Sequence, residues 1–159
     1  MQHMNIIASL LLLPSLMSVS ALGAAACSGA ESRYVLQNSQ TEVLDNTTGL
    51  IWQRCSAGLA DTACATGSAS AVNWQAAIEL ANGAWRLPNV KELASLLEPE
   101  CTNPSINVTL FPATSSVAYW TASPDTTVPA NAWQVDFAAG LTSSTAKTVA
   151  LQVRLVRNQ

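Results

Sequence analysis

The chain has 159 residues, of which only 11% are charged, with seven Lys and Arg against ten Asp and Glu and a net charge of −3. An acidic chain without a basic stripe is a poor match for a polyanion, so we expect no nucleic-acid partner. Once a leader is removed, a chain of this length is the usual size of one domain.

The first 26 residues have the pattern of a signal peptide. Residues 6–22 are almost wholly apolar, but Pro14 and several serines interrupt them, and a confident membrane span needs about 20 apolar residues. Ala24 to Ala26 then offer an A-x-A cleavage site. We therefore predict a signal peptide over residues 1–26, a single domain over residues 27–159, and export to the periplasm or the extracellular space without a stable membrane span.

Two alternatives concern the fate of this leader. It could be retained as an N-terminal anchor, although it lacks a stop-transfer pattern. Alternatively, Cys27 directly follows the cleavage site and could carry a lipid. A lipobox normally has Leu three positions before the cysteine, where this chain has Ala24. Lipoprotein anchoring through Cys27 is therefore the lesser alternative.

The rest of the chain combines strand-like and helical segments. Branched and aromatic residues between turn signals predict strands over residues 34–36, 42–44, 50–54, 118–122, 132–137 and 149–156. Helical spacing of apolar residues predicts amphipathic helices over residues 72–82 and 90–98, and Asn89 with Glu92 has the spacing of a capping box. Residues 55–71 and 99–118 are predicted to be irregular. Helices in the first half and antiparallel strands in the second indicate an α+β domain.

The four cysteines predict two disulfides. Cys55 and Cys64 bracket a loop, and closing its ten residues is worth about 2.7 kcal/mol in the chain-entropy model. Cys27 and Cys101 remain as the second pair. Metal ligation and free thiols are the alternatives, but the only histidine is His3, in the leader, and no C-x-x-C pair occurs. We therefore predict no metal site, and the even count favours disulfides in an exported chain.

Four stretches together resemble a known family. They are DNTTGLIWQRC at 45–55, WRLPNVKEL at 85–93, PSIN with FP at 104–107 and 111–112, and YWTAS with VRLVR at 119–123 and 153–157. Their order is similar to that of the Lcl C-terminal domain family, formerly a domain of unknown function, over residues 34–157.

That resemblance implies a C-type lectin-like fold, in which two helices pack on a small twisted antiparallel sheet with long loops. Formylglycine-generating and related sulfatase-modifying enzymes also use this fold. The family's namesake is a collagen-like bacterial surface adhesin whose terminal domain binds sulfated glycosaminoglycans. This chain has no collagen-like repeat and no Lys/Arg cluster, which counts against trimerisation and against sulfated polymers as ligands.

We predict that the domain is not an enzyme. No histidine follows the leader, which removes the usual Ser/His and Cys/His nucleophilic systems. Formylglycine-generating enzymes work through reactive cysteines, whereas all four cysteines of this chain are better explained as disulfides. Paired carboxylates for glycoside hydrolysis could come from Glu98, Glu100, Asp125 and Asp136. Glu98 and Glu100 lie at a helix end, where solvated charge is the simpler explanation. No catalytic residue and no cofactor are predicted.

The WRLPNVKEL stretch is interpreted as structural. Arg86 lies between Trp85 and Leu87, and Pro88 follows, so we expect Arg86 to pair with a half-buried acid such as Glu92 or Asp136 rather than with a ligand. Trp85, like Trp52 and Trp74, is predicted to pack in the core.

Candidate ligand-binding residues lie around the loop over residues 123–131. Trp120 and Trp133 flank it, and Asp125 and Asn131 lie within it. Sugar-binding sites commonly combine an aromatic face with carboxylate or amide groups. The simpler interpretation places Trp133 in the core beside an unspecialised loop. Ser123-Pro124-Asp125 resembles only weakly the Glu-Pro-Asn and Gln-Pro-Asp tripeptides of calcium-dependent lectins, so calcium is not predicted.

Three functions follow from these observations. The first is an exported, non-catalytic binding module for a carbohydrate or a cell-surface protein, as in bacterial adhesion. The second is a structural or assembly component of the cell envelope or of a surface appendage, without a small ligand. The third is a sulfatase-modifying type of enzyme, which the cysteine assignment disfavours. Nothing in the sequence specifies an oligomeric state.

Overall fold

The computed structural model describes residues 31–159, and strands dominate it. After a 3-10 turn at Glu31–Arg33, the strands in chain order are β1 Tyr34–Gln37, β2 Glu42–Asp45, β3 Leu50–Gln53, β4 Leu59–Ala60, β5 Thr66–Gly67, β6 Ala71–Val72, β7 Ala118–Pro124, β8 Asn131–Asp136, β9 Leu141–Ala146, β10 Leu151–Gln152 and β11 Val156–Asn158. The helices are α1 Trp74–Glu79 and α2 Val90–Ala94. The predicted signal peptide over residues 1–26 and Cys27 lie outside the described residues.

The α+β prediction is wrong. Among the described residues 35% are in strands and only 10% are helical, and the strands form three sheets rather than one. The arrangement implied by the C-type lectin-like resemblance, two helices on a small sheet, is therefore not found. Both helices are shorter than predicted. At the start of α1 tertiary pairing is the reason: Val72 pairs with Leu151 in a sheet, and Asn73 becomes the N-cap.

The first sheet is antiparallel and has the order β1-β2-β3-β11. Its first three strands confirm the predicted strands at 34–36, 42–44 and 50–54, with small differences at their ends. The β2–β3 turn is fixed by Asp45, whose carboxylate accepts hydrogen bonds from the Thr47 N–H at 2.9 Å and the Thr48 hydroxyl at 2.8 Å. Gly49 ends the turn with a φ of 68°, a conformation that favours glycine.

The second sheet has the order β6-β10-β7-β8-β9, with β10 and β7 parallel and the other pairs antiparallel. β9 was not predicted. The single strand predicted over 149–156 is instead divided, because β10 belongs to the second sheet and β11 to the first. The buried residues Val153, Arg154 and Leu155 connect them. The C-terminal segment therefore joins the two sheets.

Two apolar clusters fill the interior. The larger lies between the first sheet, α2 and the middle of the second sheet; it includes Trp52, Leu93, Phe111, Tyr119 and Val135. The smaller collects Ala77, Leu87, Trp120, Ala132, Val153 and Leu155. Burial of these side chains supplies most of the driving force for folding, since apolar area removed from water is worth about 25 cal/mol per Å².

Helix α2 begins with the predicted capping box. The Asn89 side chain accepts a hydrogen bond from the Glu92 N–H at 2.9 Å, and the Glu92 carboxylate accepts one from the Asn89 N–H at 2.8 Å. Leu93 is fully buried against the larger cluster. The cap and this anchor hold a helix of only five residues, which is too short to be stable alone.

Candidate binding cleft beside Trp85

A cleft of about 300 Å³ lies where the first sheet, the Cys55–Cys64 loop and the segment around Trp85 meet. This is near the lower end of the size range of small-ligand pockets. The residues in its walls include Thr41, Glu42, Gln53, Leu59, Asp61 and Trp85. We call this site the Trp85 cleft.

The first sheet supplies one wall of the Trp85 cleft. Glu42 and Gln53 are directly opposite each other in the β2–β3 register, so their side chains leave the same face of the sheet. The Glu42 carboxylate accepts hydrogen bonds from Arg157 at 2.7 Å and from the Asn38 amide at 3.0 Å. The Gln53 side-chain amide has no hydrogen-bond partner among residues 31–159. This wall therefore presents one fixed carboxylate and one unused amide.

Trp85 is held in place by its backbone and by a cation. Reciprocal backbone hydrogen bonds of 3.1 and 3.0 Å join it to Asn82 around a turn in which Gly83 has a φ of 60°. The Arg157 guanidinium lies 5.4 Å from the centroid of the Trp85 ring. The indole N–H donates to no described residue. The ring is half-buried, so Trp85 contributes an aromatic surface with an unused donor.

The Cys55–Cys64 disulfide is confirmed and closes the loop opposite Trp85. Within and beside this loop, β4 and β5 form the two-stranded third sheet. Their backbones approach so closely that a Cβ on Gly58 would lie 2.3 Å from the Ser68 carbonyl oxygen. At that position, where φ is +88°, only glycine fits.

Asp61 shapes the tip of this loop. Its carboxylate accepts hydrogen bonds from the Thr66 hydroxyl at 2.6 Å and the Ala63 N–H at 2.7 Å. The Thr66 bond, followed by the backbone N–H groups, lowers the pKa of Asp61, so this exposed carboxylate stays ionised at neutral pH. The cleft wall is therefore negatively charged on this side as well.

Arg154 anchors the strand end that carries Gln53. Its guanidinium donates to the carbonyl oxygens of Gln53, at 2.8 Å, and of Arg54, and to the Thr114 hydroxyl at 2.7 Å. The side chain is fully buried, and no carboxylate of the described residues pairs with it. Burial lowers the pKa of Arg154. A buried cation solvated by carbonyl and hydroxyl oxygens thus ties the cleft wall to the core.

The WRLPNVKEL stretch has a structural role, as we interpreted it from the sequence. Arg86 pairs with Glu92 through two parallel hydrogen bonds of 2.7 and 2.8 Å, and not with Asp136. The bond to Arg86 lowers the pKa of Glu92. Leu87 and Pro88 are buried behind the pair. This ion pair fixes the segment on which Trp85 lies.

The structure brings together only part of the candidate ligand site. The Asp125 N–H donates to the Asn131 carbonyl at 3.1 Å, and the Asp125 carboxylate accepts a hydrogen bond from Ser144, the cross-strand partner of Trp133. Trp120 is fully buried, and its indole N–H donates to the Val72 carbonyl at 2.8 Å, so it is a core residue and not a ligand contact. Asp125 is buried by its own turn and accepts hydrogen bonds from Thr127 and from the Ser144 hydroxyl at 2.6 Å. These bonds lower its pKa.

Asn131 and Trp133 are half-buried on β8. Trp133 faces a separate apolar groove with Val90 and Ala94 of α2 and with Thr142 of β9, about 340 Å³ in volume. Sequence reasoning placed Trp85 in the core and did not single out Gln53. The sequence does not separate the two roles, because Trp85 packs against the smaller apolar cluster, as predicted, and lines the cleft as well.

Residues 31–159 contain three of the four cysteines. Cys55, Cys64 and Cys101 are all disulfide-bonded, while Cys27, the predicted partner of Cys101, lies outside the described residues. In this part of the chain no group of three or more His, Cys, Asp or Glu side chains could hold a metal ion. None of its helices is long and apolar enough to cross a membrane.

Comparison with known proteins gives one finding for this chain. The model of the Lcl C-terminal domain family matches residues 41–157. That range begins at Thr41, in the wall of the Trp85 cleft, and ends at Arg157, over the Trp85 ring, so it contains the whole cleft. No curated protein matches the chain.

Proposed function

The chain belongs to the Lcl C-terminal domain family, and on that premise we propose that it is an exported, non-catalytic binding module that holds a carbohydrate unit in the Trp85 cleft. One observation carries this proposal: the unused indole N–H of Trp85 and the unused amide of Gln53 share a cleft with the Glu42 carboxylate. An aromatic ring beside amide and carboxylate groups matches the alternating apolar and hydroxyl surfaces of a sugar.

The charge of the cleft favours a neutral sugar. Glu42 and Asp61 both present carboxylates, and Arg157, the cation beside them, is already paired with Glu42 at 2.7 Å. A sulfated polymer would meet like charge here, which costs binding energy. We therefore expect neutral oligosaccharides to bind better than sulfated or carboxylated ones.

Export and lack of catalysis are further parts of the proposal. The Cys55–Cys64 disulfide is compatible with an oxidising compartment. While that bond is intact, neither sulfur can act as a thiol nucleophile, which counts against chemistry of the sulfatase-modifying type. The cleft contains hydrogen-bonding groups for a ligand, but its two carboxylates are both engaged by neighbouring residues. These contacts support binding rather than turnover.

The test is a glycan array, followed by calorimetry, with the disulfide-intact domain exported by its own leader. We expect binding to a neutral oligosaccharide, and at least a tenfold loss in the Trp85→Ala variant, because one stacked aromatic ring contributes about 1.5 kcal/mol or more. The matched control is Trp133→Ala, which removes a half-buried tryptophan from the separate groove and should bind as the wild type does.

Two outcomes would contradict the proposal. Absence of binding to neutral, acidic and sulfated sugars would indicate instead that the protein is a structural component or that its ligand is a protein. Sugar binding that survives Trp85→Ala but is lost in Trp133→Ala would place the binding site in the Trp133 groove and not in the Trp85 cleft.

A further inference from the structure

The outer edge of β9 is long, regular and uncharged. The strand covers six residues, Leu141–Ala146, and none of them carries a charge or is proline. Its register with β8 runs without a shift from Leu141 to Ala146, and no described residue pairs with its other side. Natural sheets usually protect such edges with lysine, proline, a bulge or a covering segment. β9 has none of these devices.

The other edge strands of the described residues differ from β9. β6 is only two residues long, and β1 only four. β11 is covered by reciprocal backbone hydrogen bonds of 2.9 Å between Arg86 and Val156. β9 is therefore the edge best able to accept a further strand.

The ladder shows which backbone groups are available on β9. The Lys147 N–H donates to the Ala130 carbonyl at 2.9 Å, which makes these two residues a hydrogen-bonded pair. Hydrogen-bonded pairs alternate in an antiparallel ladder. Thr142, Ser144 and Ala146 consequently direct their N–H and C=O groups away from β8. The three residues are symmetric about Ser144.

We propose that β9 pairs antiparallel with β9 of a second copy of this chain, around a two-fold axis at Ser144. In that register Thr142 is opposite Ala146 of the second copy, and Ser144 is opposite its own counterpart. The pairing is self-complementary, as a two-fold interface requires, and joins two five-stranded sheets into one.

Charge and shape both fit a second copy. No residue of β9 carries a charge, and apart from Leu141 at one end its side chains are small. Lys91 lines the groove beside Thr142 but lies on α2, outside the strand. Lys147, the nearest cation in sequence, is held away from the edge because its ammonium donates to the Pro129 carbonyl at 2.9 Å and lies 4.4 Å from the Trp74 ring. On the face that carries the Thr142 side chain, the groove of Val90, Ala94 and Trp133 supplies apolar surface beside the new strand.

The test is the mass of the disulfide-intact domain by analytical ultracentrifugation over a range of concentrations. The wild type should shift from monomer to dimer as concentration rises. A double variant, Thr142→Lys with Ala146→Lys, sets lysine against lysine across the axis and should stay monomeric. The matched variant, Thr142→Glu with Ala146→Lys, sets opposite charges against each other at the same positions and should recover the dimer. Both positions are exposed, so near-UV circular dichroism should be unchanged.

A second measurement does not depend on these charges. Thr142→Cys combined with Ala146→Cys should form disulfides between two copies under mild oxidation, because these exposed positions are opposite each other in the proposed register. Thr142→Cys alone, which is not opposite itself, should not. A wild type that is monomeric or trimeric at every concentration would overturn the proposal, as would equal dimerisation of the two charge variants. Sugar binding in the Trp85 cleft does not require the dimer, so the two proposals fail independently.

Discussion

The two large sheets of this domain are stabilised in different ways. All three ion pairs between described residues involve the first sheet or the segment beside it: Arg33 with Asp45, Arg157 with Glu42, and Arg86 with Glu92. In the second sheet, Asp125 and Asp136 accept hydrogen bonds only from neighbouring hydroxyl and backbone groups. Ion pairing between the described residues is therefore concentrated in and beside the first sheet.

This difference indicates that the two sheets have different roles. Polar and ionic contacts have strict geometry, so they fix the orientation of the few side chains that line the cleft. The second sheet instead relies on regular strand pairing and on apolar packing, and it leaves one uncharged edge open. We expect mutations of charged residues to destabilise the first sheet far more than the second.

The largest expected loss of stability is that caused by Arg154→Met. Methionine fills similar space but leaves the carbonyl oxygens of Gln53 and Arg54 and the Thr114 hydroxyl without their donor. Unsatisfied buried acceptors should lower the free energy of unfolding by about 3 kcal/mol. Urea denaturation followed by tryptophan fluorescence measures this loss. The control is Arg157→Met, a half-exposed partner of Glu42, which should cost about 1 kcal/mol or less.

The second-largest loss of stability is expected on mutation of Asp45, and the contribution of Asp45 to the free energy of unfolding should depend on pH. Burial alone would raise the pKa of Asp45, but hydrogen bonds from Arg33, Thr48 and Thr47 outweigh it and hold the pKa below its usual value. A carboxylate with a lowered pKa stabilises the fold above the unfolded-state pKa of about 3.9, and that stabilisation is lost as the pH falls through the lower folded value.

Asp45→Asn should therefore cost about 2 kcal/mol at neutral pH, because it removes a charged acceptor from a buried ion pair. The difference from the wild type should shrink below about pH 4, as the wild-type carboxylate becomes protonated. Asp136→Asn is the matched control in the second sheet, where the carboxylate only accepts the Ala138 N–H at 2.8 Å. Equal costs for the two variants at neutral pH would contradict the contrast between the sheets.

The smallest loss of stability is expected on mutation of Glu92. Glu92→Gln weakens both the capping box of α2 and the pair with Arg86, whose side chain is 39% exposed and therefore well screened. We expect a loss of about 1 kcal/mol in thermal or urea unfolding. Glu79→Gln on α1 is the control, because that carboxylate contacts only the exposed Gln75 amide at 2.8 Å. A loss at Glu79 as large as that at Glu92 would show that helix charge, rather than this pair, is responsible.

The first sheet was more predictable from the sequence than the second. Its hairpins are local: a turn signal at Asp45 to Gly49 separates two short apolar strands, and the capping box is readable from Asn89 and Glu92 alone. The Cys55–Cys64 disulfide also follows from spacing along the chain. In each case the residues that decide the structure are near one another in sequence.

The second sheet depends on distant contacts. β10 pairs with Val72 of β6 and with Tyr119 of β7, both far from it in sequence. β9 is a local partner of β8, but its sequence LTSSTA lacks the apolar alternation of a half-buried strand, so it was not predicted. The alternating segment over 149–156 predicted one strand, but burial of Arg154 between the sheets divides it. For the same reason the sequence could not show that Trp120 is buried and that Trp85 borders a cleft, because only the tertiary structure decides which tryptophans are exposed.

The central claim, that the Trp85 cleft binds a neutral sugar, is tested most directly by nuclear magnetic resonance. Each of the five tryptophans gives one indole N–H signal, and titrating the disulfide-intact domain with a neutral oligosaccharide identifies which of them moves. We predict that the signals of the Trp85 indole and the Gln53 side-chain amide shift in a saturable way while that of Trp133 stays in place. A shift confined to Trp133, or no shift at Trp85 at saturating sugar, would contradict the claim.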